Sequence, residues 1–495
     1  MAKLSPLMIS ALAISALIAV IGIIAPQALA SFANTVVSAQ FASRGWFIML
    51  LTSSLLFVAI YLAFSEFGAI KLGPDDAEPE FSTPSWIAML FAAGMGVGLL
   101  FYGTAEPLTH FEVLRSFERD PLAAEQALFV TYLNWGLHAW AIYGIVALVI
   151  AYFGYRHGQL LMLSAPLDIA FGRSVWTARF GWLFNLCAIV AIAVGLAGSL
   201  AMGVFQVRTG VAELFGVRQV GYLTAPVFVV LCLAFVVPLR RDLGDGMAKL
   251  SNAAMVVSIA LLVYLVIAGP TSYAMNAIVS GFGRYAFFVL PAGFSTAGFL
   301  DDKLVDWFEG WTLTYMIWWL AWSPFVGVFI ARISRGRTIR SFLTGVILAP
   351  TLFSIVWFGG FGALGFFDSF ERDGTLGAIA NSQIDHVTFA LLDQFPLSAL
   401  TSLAVVIAAF LFVVTSVVSA AFVLAMFATG GDEDPPANVR TLWGGILGAL
   451  GLAMLLTGDV GVVRSIIALC ALAFIFIVPV LVLCLLRALR RETLR

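Results

Sequence analysis

Charge is what this sequence has least of. Only 11% of its 495 residues are charged, 61% are hydrophobic and mean hydropathy is +1.02, whereas soluble domains carry about 25% charge. Such a chain cannot cover a surface that faces water, so it reads as an integral membrane protein. Net charge is −2, from 26 basic and 28 acidic residues, which gives no basic face for nucleic acid. The four cysteines (Cys187, Cys232, Cys470 and Cys484) all lie inside apolar runs without metal-ligand spacing. They read as small core hydrophobes, and neither a disulfide framework nor a zinc site follows. Four scattered histidines, with no His-Glu-x-x-His and no Gly-x-Ser-x-Gly, leave nothing on which to build an enzyme. No stretch reads as a ring-built selectivity filter or as a signalling domain, which argues against a channel and a sensor. No cofactor is expected.

Apolar length is what the chain does have. A helix needs about 20 apolar residues to cross the hydrocarbon core. Twelve segments qualify, near 6–26, 45–65, 84–105, 124–153, 180–204, 220–239, 248–269, 308–332, 338–362, 396–427, 440–457 and 460–486. Two further stretches are mixed in character, 108–117 and 273–290. The second, with six aromatic or aliphatic residues around Arg284, reads as a helix lying in the interface. With the N-terminus inside, 17 of the 26 basic residues fall on the cytoplasmic side and 9 on the other. The positive-inside rule therefore puts both termini in the cytoplasm. The triplet Ala28-Leu29-Ala30 could end a signal peptide, but the run before it is longer than a usual signal core, and it is read as a span.

Three motifs carry chemistry. The third apolar segment holds Gly94-Met95-Gly96-Val97-Gly98, and glycine costs about 1 kcal/mol relative to alanine inside a helix. Glycines at i, i+2 suit an unwound stretch that exposes carbonyls to a substrate or ion better than they suit close helix packing. The fourth segment carries Trp135, His138, Trp140 and Tyr143; the eighth carries Trp318, Trp319 and Trp322, then Ser323-Pro324-Phe325. Five of the thirteen tryptophans thus lie well inside two spans, away from the interfacial belt that accounts for Trp46 or Trp86. A quaternary ammonium has no N–H to donate and is held by ring faces, at about 2 kcal/mol or more per desolvated contact. His138, without a nearby carboxylate in sequence, reads as structural.

These residues, with the run Ala331-Arg332-Ile333-Ser334-Arg335-Gly336-Arg337-Thr338-Ile339-Arg340, resemble the betaine/carnitine/choline transporter family along essentially the whole chain. The resemblance implies a LeuT-like fold of twelve transmembrane helices: two peripheral helices (1–83), a first five-helix repeat (84–270), an interfacial helix and loop (271–307), and an inverted second repeat with a short tail (308–495). It implies a homotrimer in a bacterial inner membrane. The substrate site would combine Gly94, Met95, Gly96 and Gly98 with a box of Trp140, Tyr143, Trp318, Trp319 and Trp322. Trp135 and Phe325 would lie along the pathway.

By the same resemblance, a coupling sodium would sit among the carbonyls of Ala92, Met95 and Phe412 and the hydroxyls of Thr415 and Ser416. The alternative for this Thr-Ser pair is back-bonding to the preceding turn. The sequence departs from the family at Val417-Val418-Ser419, where an acid is common, and at Thr314-Tyr315-Met316. Proton-coupled choline members resemble one another in having Asp where this chain has Gly98. No Lys or Arg interrupts 182–206 to stand in for sodium. Import of a quaternary ammonium or sulfonium solute by sodium symport is the leading expectation; proton coupling or substrate exchange is the alternative. The short tails argue against strong osmotic gating.

Overall fold

The computed structural model describes residues 5–94, 96–240 and 244–493. Its helices are α1 Pro6–Ile24, α2 Pro26–Phe64, α3 Thr83–Gly94, α4 Val97–Tyr102, α5 Ala105–Leu114, α6 Asp120–Trp135, α7 Leu137–Ala151, α8 Ala165–Phe171, α9 Val175–Phe215, α10 Thr224–Arg240, α11 Gly244–Ala268, α12 Thr271–Ala292, α13 Asp302–Phe308, α14 Thr314–Arg332, α15 Ile339–Glu371, α16 Thr375–Ser382, α17 Val387–Leu392, α18 Ser398–Ala428, α19 Ala437–Leu455, α20 Val460–Ala471 and α21 Phe474–Thr493. Two π turns, Tyr152–Arg156 and Glu309–Leu313, extend α7 and lead into α14. Among the described residues there is no sheet, only an isolated bridge between Lys71 and Thr338. Starts are capped as physical chemistry requires: Ser5 accepts from Met8 N–H, and Asp459 from Val462 N–H.

Ten of these helical runs are long and apolar enough to cross a membrane, or eleven when α20 and α21, bent by 45° at their junction, count as one. The protein is an all-α, multi-pass membrane protein. Every expected apolar segment but one falls on such a run. The exception is 84–105: α3 ends at Gly94, Gly96 is extended (φ −111°, ψ −157°) and α4 begins at Val97. Met95 lies outside the described residues. The triplet Ala28-Leu29-Ala30 lies inside α2, whose 39 residues span about 58 Å at 1.5 Å per residue.

The mixed stretch 273–290 is α12, with Ala274, Ile278, Gly281, Tyr285 and Val289 buried on one face and Val279 and Phe287 exposed on the other. The segment 331–340 works as a clamp on the loop between α2 and α3. Leu72 N–H donates to Arg337 O at 2.8 Å, Gly336 N–H to Leu72 O at 2.8 Å and Ile339 N–H to Ile70 O at 2.9 Å. Gly336 has φ +80°, and a Cβ there would stand 2.2 Å from Glu78 O, so only glycine fits. The Arg337 guanidinium lies 4.0 Å over the Trp86 ring, whose Nε1 donates to Ser334 Oγ at 2.9 Å. Trp86 is only 1% exposed. It is therefore a packing residue under the clamp and not a member of an exposed belt, whereas Trp46 is 58% exposed.

Chain segments assigned to one side of the membrane also meet in space. Arg156 pairs with Asp75 and Glu492, and Arg487 lies over Phe171. On the opposite side Arg284 pairs with Glu125, Arg115 with Asp120 and Arg208 with Asp385.

Candidate functional site

Two helix breaks frame the site: the first lines a cavity directly, and the second lies one residue after Trp135, which lines it. The first is at Gly96. The second is at Gly136 (φ −101°, ψ −135°), between α6 and α7. A break frees backbone groups that need partners when buried. Leu137 N–H donates to the Tyr285 hydroxyl of α12 at 2.8 Å, and the Asn134 carbonyl accepts from Trp319 Nε1 of α14 at 2.7 Å. A Cβ on Gly136 would come within 2.2 Å of that Tyr285 oxygen, so glycine is what admits it.

Between the breaks lies a narrow cavity with about 30 Å³ of room, lined by Gly96, Gly98, Tyr102, Trp135, Tyr315, Trp318, Trp319, Trp322 and Ser416 together with aliphatic residues and Ser199. None of its lining residues is ionisable as Asp, Glu, Lys, Arg or His. The rings form a continuous array. Tyr315 stacks on Trp318 (5.9 Å, 12°) and Trp319 (5.5 Å, 27°), and Trp322 meets Trp318 edge-on at 6.4 Å. Trp135 closes the side against Trp319 at 5.1 Å. The indole N–H groups of Trp318 and Trp322 are buried without a partner. The space holds water-sized occupants; a trimethylammonium group enters only when the rings part.

Glu106 holds this array from behind. It is fully buried in α5 and accepts from Asn134 Nδ2 (3.0 Å), Trp135 Nε1 (2.8 Å), Tyr315 Oη (2.5 Å) and His110 Nε2 (3.3 Å). Trp307 Nε1 donates to His110 Nδ1 at 2.9 Å, so the His110 proton belongs on Nε2 and the ring is neutral. Four donors converge on one acceptor-only carboxylate. Sequence reasoning gave Glu106, Tyr102 and Tyr315 no place in the box; the available signal was a carboxylate directly after the glycine-bearing apolar run 84–105.

The expected site residues are brought together unevenly. Gly96, Gly98, Trp318, Trp319, Trp322 and Ser416 line the cavity. Tyr143 touches it only through Trp319 (5.8 Å), and Trp140 stands behind Tyr143 (5.6 Å), so this pair buttresses the box in this conformation. Trp135, expected along the pathway, is in the wall itself, while Phe325 packs edge-on to Trp322 at 6.2 Å. Of the sodium set, Ser416 Oγ faces Gly96, lying 3.8 Å from where a Cβ would be. Thr415 back-bonds to Leu411 O (2.9 Å) and Phe412 O (3.2 Å). Ala92 and Gly94 belong to α3; Met95 lies outside the described residues. His138 turns away from the cavity toward α2, 3.2 Å from Ser53 Oγ, with Nδ1 unpartnered.

A broken-helix cavity in a multi-pass all-α protein defines a membrane carrier. Comparison with known proteins makes this specific. The family described as betaine/carnitine/choline family transporter matches residues 6–494, and the chain belongs to it. It is 36% identical to the glycine betaine transporter OpuD of Bacillus subtilis over 97% of this chain and 93% of that protein. It is 35% identical to a glycine betaine transporter of Acinetobacter baylyi over 98% and 73%, and 35% identical to glycine betaine transporter 1 of Vibrio parahaemolyticus over 91% and 86%. The protein is a transporter and not an enzyme.

Proposed function

We propose that this chain imports glycine betaine, or a closely similar methylated ammonium solute, by sodium symport. The observation that carries the reading is the cavity wall: several aromatic rings, two unpartnered indole N–H groups and no ionised side chain. Ring faces hold the methylated cation, and the free N–H groups suit a carboxylate. The names of the relatives support the same solute. The fold reading extends to twelve spans, the broken 84–105 segment being the third, arranged as two inverted five-helix repeats behind two added helices. The intimate packing of α9 on α18, the fifth and tenth spans, supports it. Both termini face the cytoplasm of a bacterial inner membrane, and the assembly is a homotrimer. The test is uptake of labelled glycine betaine into proteoliposomes under an imposed sodium gradient, with choline, carnitine and a sulfonium analogue as competitors. Saturable, sodium-driven uptake competed by this panel is expected; no uptake, or none competed by methylated cations, overturns the reading.

Gly98 sets the charge of the wall. A Cβ there would come within 3.2 Å of the Trp135 ring, so Gly98→Asp places a carboxylate against the aromatic array. It repels a betaine's own carboxylate and not choline's hydroxyl. The preference for glycine betaine over choline should shift by at least about tenfold toward choline, roughly 1.4 kcal/mol, and sodium dependence should weaken. Competition curves at two sodium concentrations measure both. An unchanged preference and unchanged sodium dependence would remove Gly98 from the site.

A further inference from the structure

The ring array does not end at the cavity. Tyr315 also stacks on Trp311 (6.1 Å, 29°), and the Arg464 guanidinium lies over the far ring, 4.2 Å from the Trp311 centroid. Arg464 comes from α20, which packs against α14. Its Nε and Nη1 are buried with no hydrogen-bond partner, although the residue as a whole is only half-buried. No Asp or Glu among the described residues lies within ion-pairing distance of it. Glu106, which accepts from the Tyr315 hydroxyl, is engaged by its own four donors. The arginine is thus a cation at the end of an aromatic path, with N–H groups left over. By the charge count along the chain, Arg464 lies on the side opposite the termini.

We infer that Arg464 is a specificity-determining residue that receives the carboxylate of a zwitterionic solute at the outer end of the ring array. A guanidinium at this position attracts a carboxylate through charge-assisted hydrogen bonds and repels a bare cation. The ring faces do not separate glycine betaine from choline, because both present the same trimethylammonium face, and the neutral indole N–H groups can donate to a carboxylate or to a hydroxyl oxygen. A fixed positive charge ahead of the rings does separate them: choline meets repulsion without compensation, while glycine betaine meets a partner. Specificity of this kind rests on the unfavourable contact as much as on the favourable one. The inference rests on the proposed transport of a methylated ammonium.

The experiment compares wild type, Arg464→Gln and Arg464→Lys in proteoliposomes, with binding of glycine betaine and of choline read separately by tryptophan fluorescence. Arg464→Gln should weaken glycine betaine at least tenfold and leave choline unchanged or tighter; Arg464→Lys, which keeps the charge, should recover most of the loss. Glycine betaine binding unchanged in Arg464→Gln, or a parallel loss of both ligands that lysine does not rescue, overturns the assignment. A wild type that binds glycine betaine alongside an indifferent Arg464→Gln refutes only the arginine. A wild type that binds neither ligand refutes the transport reading, and the arginine's role with it.

Discussion

Replacing Trp322 by alanine raises the KM for glycine betaine at least tenfold, about 1.4 kcal/mol of lost contact with the methylated head group. Trp322 lies in the cavity wall and its indole nitrogen makes no hydrogen bond within the protein, so phenylalanine, which keeps the ring face but loses the N–H offered to the carboxylate, should restore part of the affinity. Trp319 is different. Its Nε1 holds the Asn134 carbonyl freed by the break at Gly136, and its ring stacks on Tyr315. Trp319→Ala therefore removes a wall and also leaves a buried carbonyl without its donor, at about 1–3 kcal/mol. Trp319→Phe keeps the wall and still loses the donor. The expected pattern is a tolerated phenylalanine at 322 and a damaging one at 319, measured as initial uptake rates in variants matched for insertion. Wild-type uptake by both alanine variants would show that the array is not the cation site.

The pattern also marks what could be read from the sequence. Spans were legible because hydropathy over some twenty residues is set by the bilayer itself. The break in 84–105 was legible because three glycines at alternate positions weaken a helix locally. The break at Gly136 was not: a single glycine in an apolar run is ordinary, and its role depends on Tyr285 arriving from a helix more than a hundred residues away. The box was legible as a set of residue types, but its membership was not. Trp140 and Tyr143 lie on the same helix as each other, and nothing local says that Trp319 comes between Tyr143 and the cavity. Glu106 and Arg464 were hidden for a related reason. Each is a charge at the edge of an apolar run, and its meaning lies in partners contributed by other helices: three of the four donors for Glu106, a ring and no acid for Arg464.

Removing the Ser416 hydroxyl should raise the sodium concentration for half-maximal uptake at least tenfold, with little change in glycine betaine KM once sodium saturates. Sodium is a hard cation that takes neutral or anionic oxygens, and no cluster of three or more His, Cys, Asp or Glu residues among the described residues offers an alternative. Ser416 Oγ faces the break at Gly96, where carbonyls that would otherwise serve a continuous helix are released. Thr415 keeps lone pairs free while its proton serves Leu411 O or Phe412 O, so Thr415→Ala should act in the same direction. The decisive comparison drives uptake by a sodium gradient at equal pH, then by a proton gradient without sodium. Uptake supported equally by protons would overturn sodium coupling and require a titrating group in the pathway. His138 does not supply one, since it faces Ser53 and not the cavity. Glu106 adjoins the wall but does not line the cavity, and its oxygens are occupied by four donors, from Trp135, Tyr315, Asn134 and His110. An ion held between Ser416 and the break at Gly96 would instead join α18 to the broken third segment, two elements that both line the cavity.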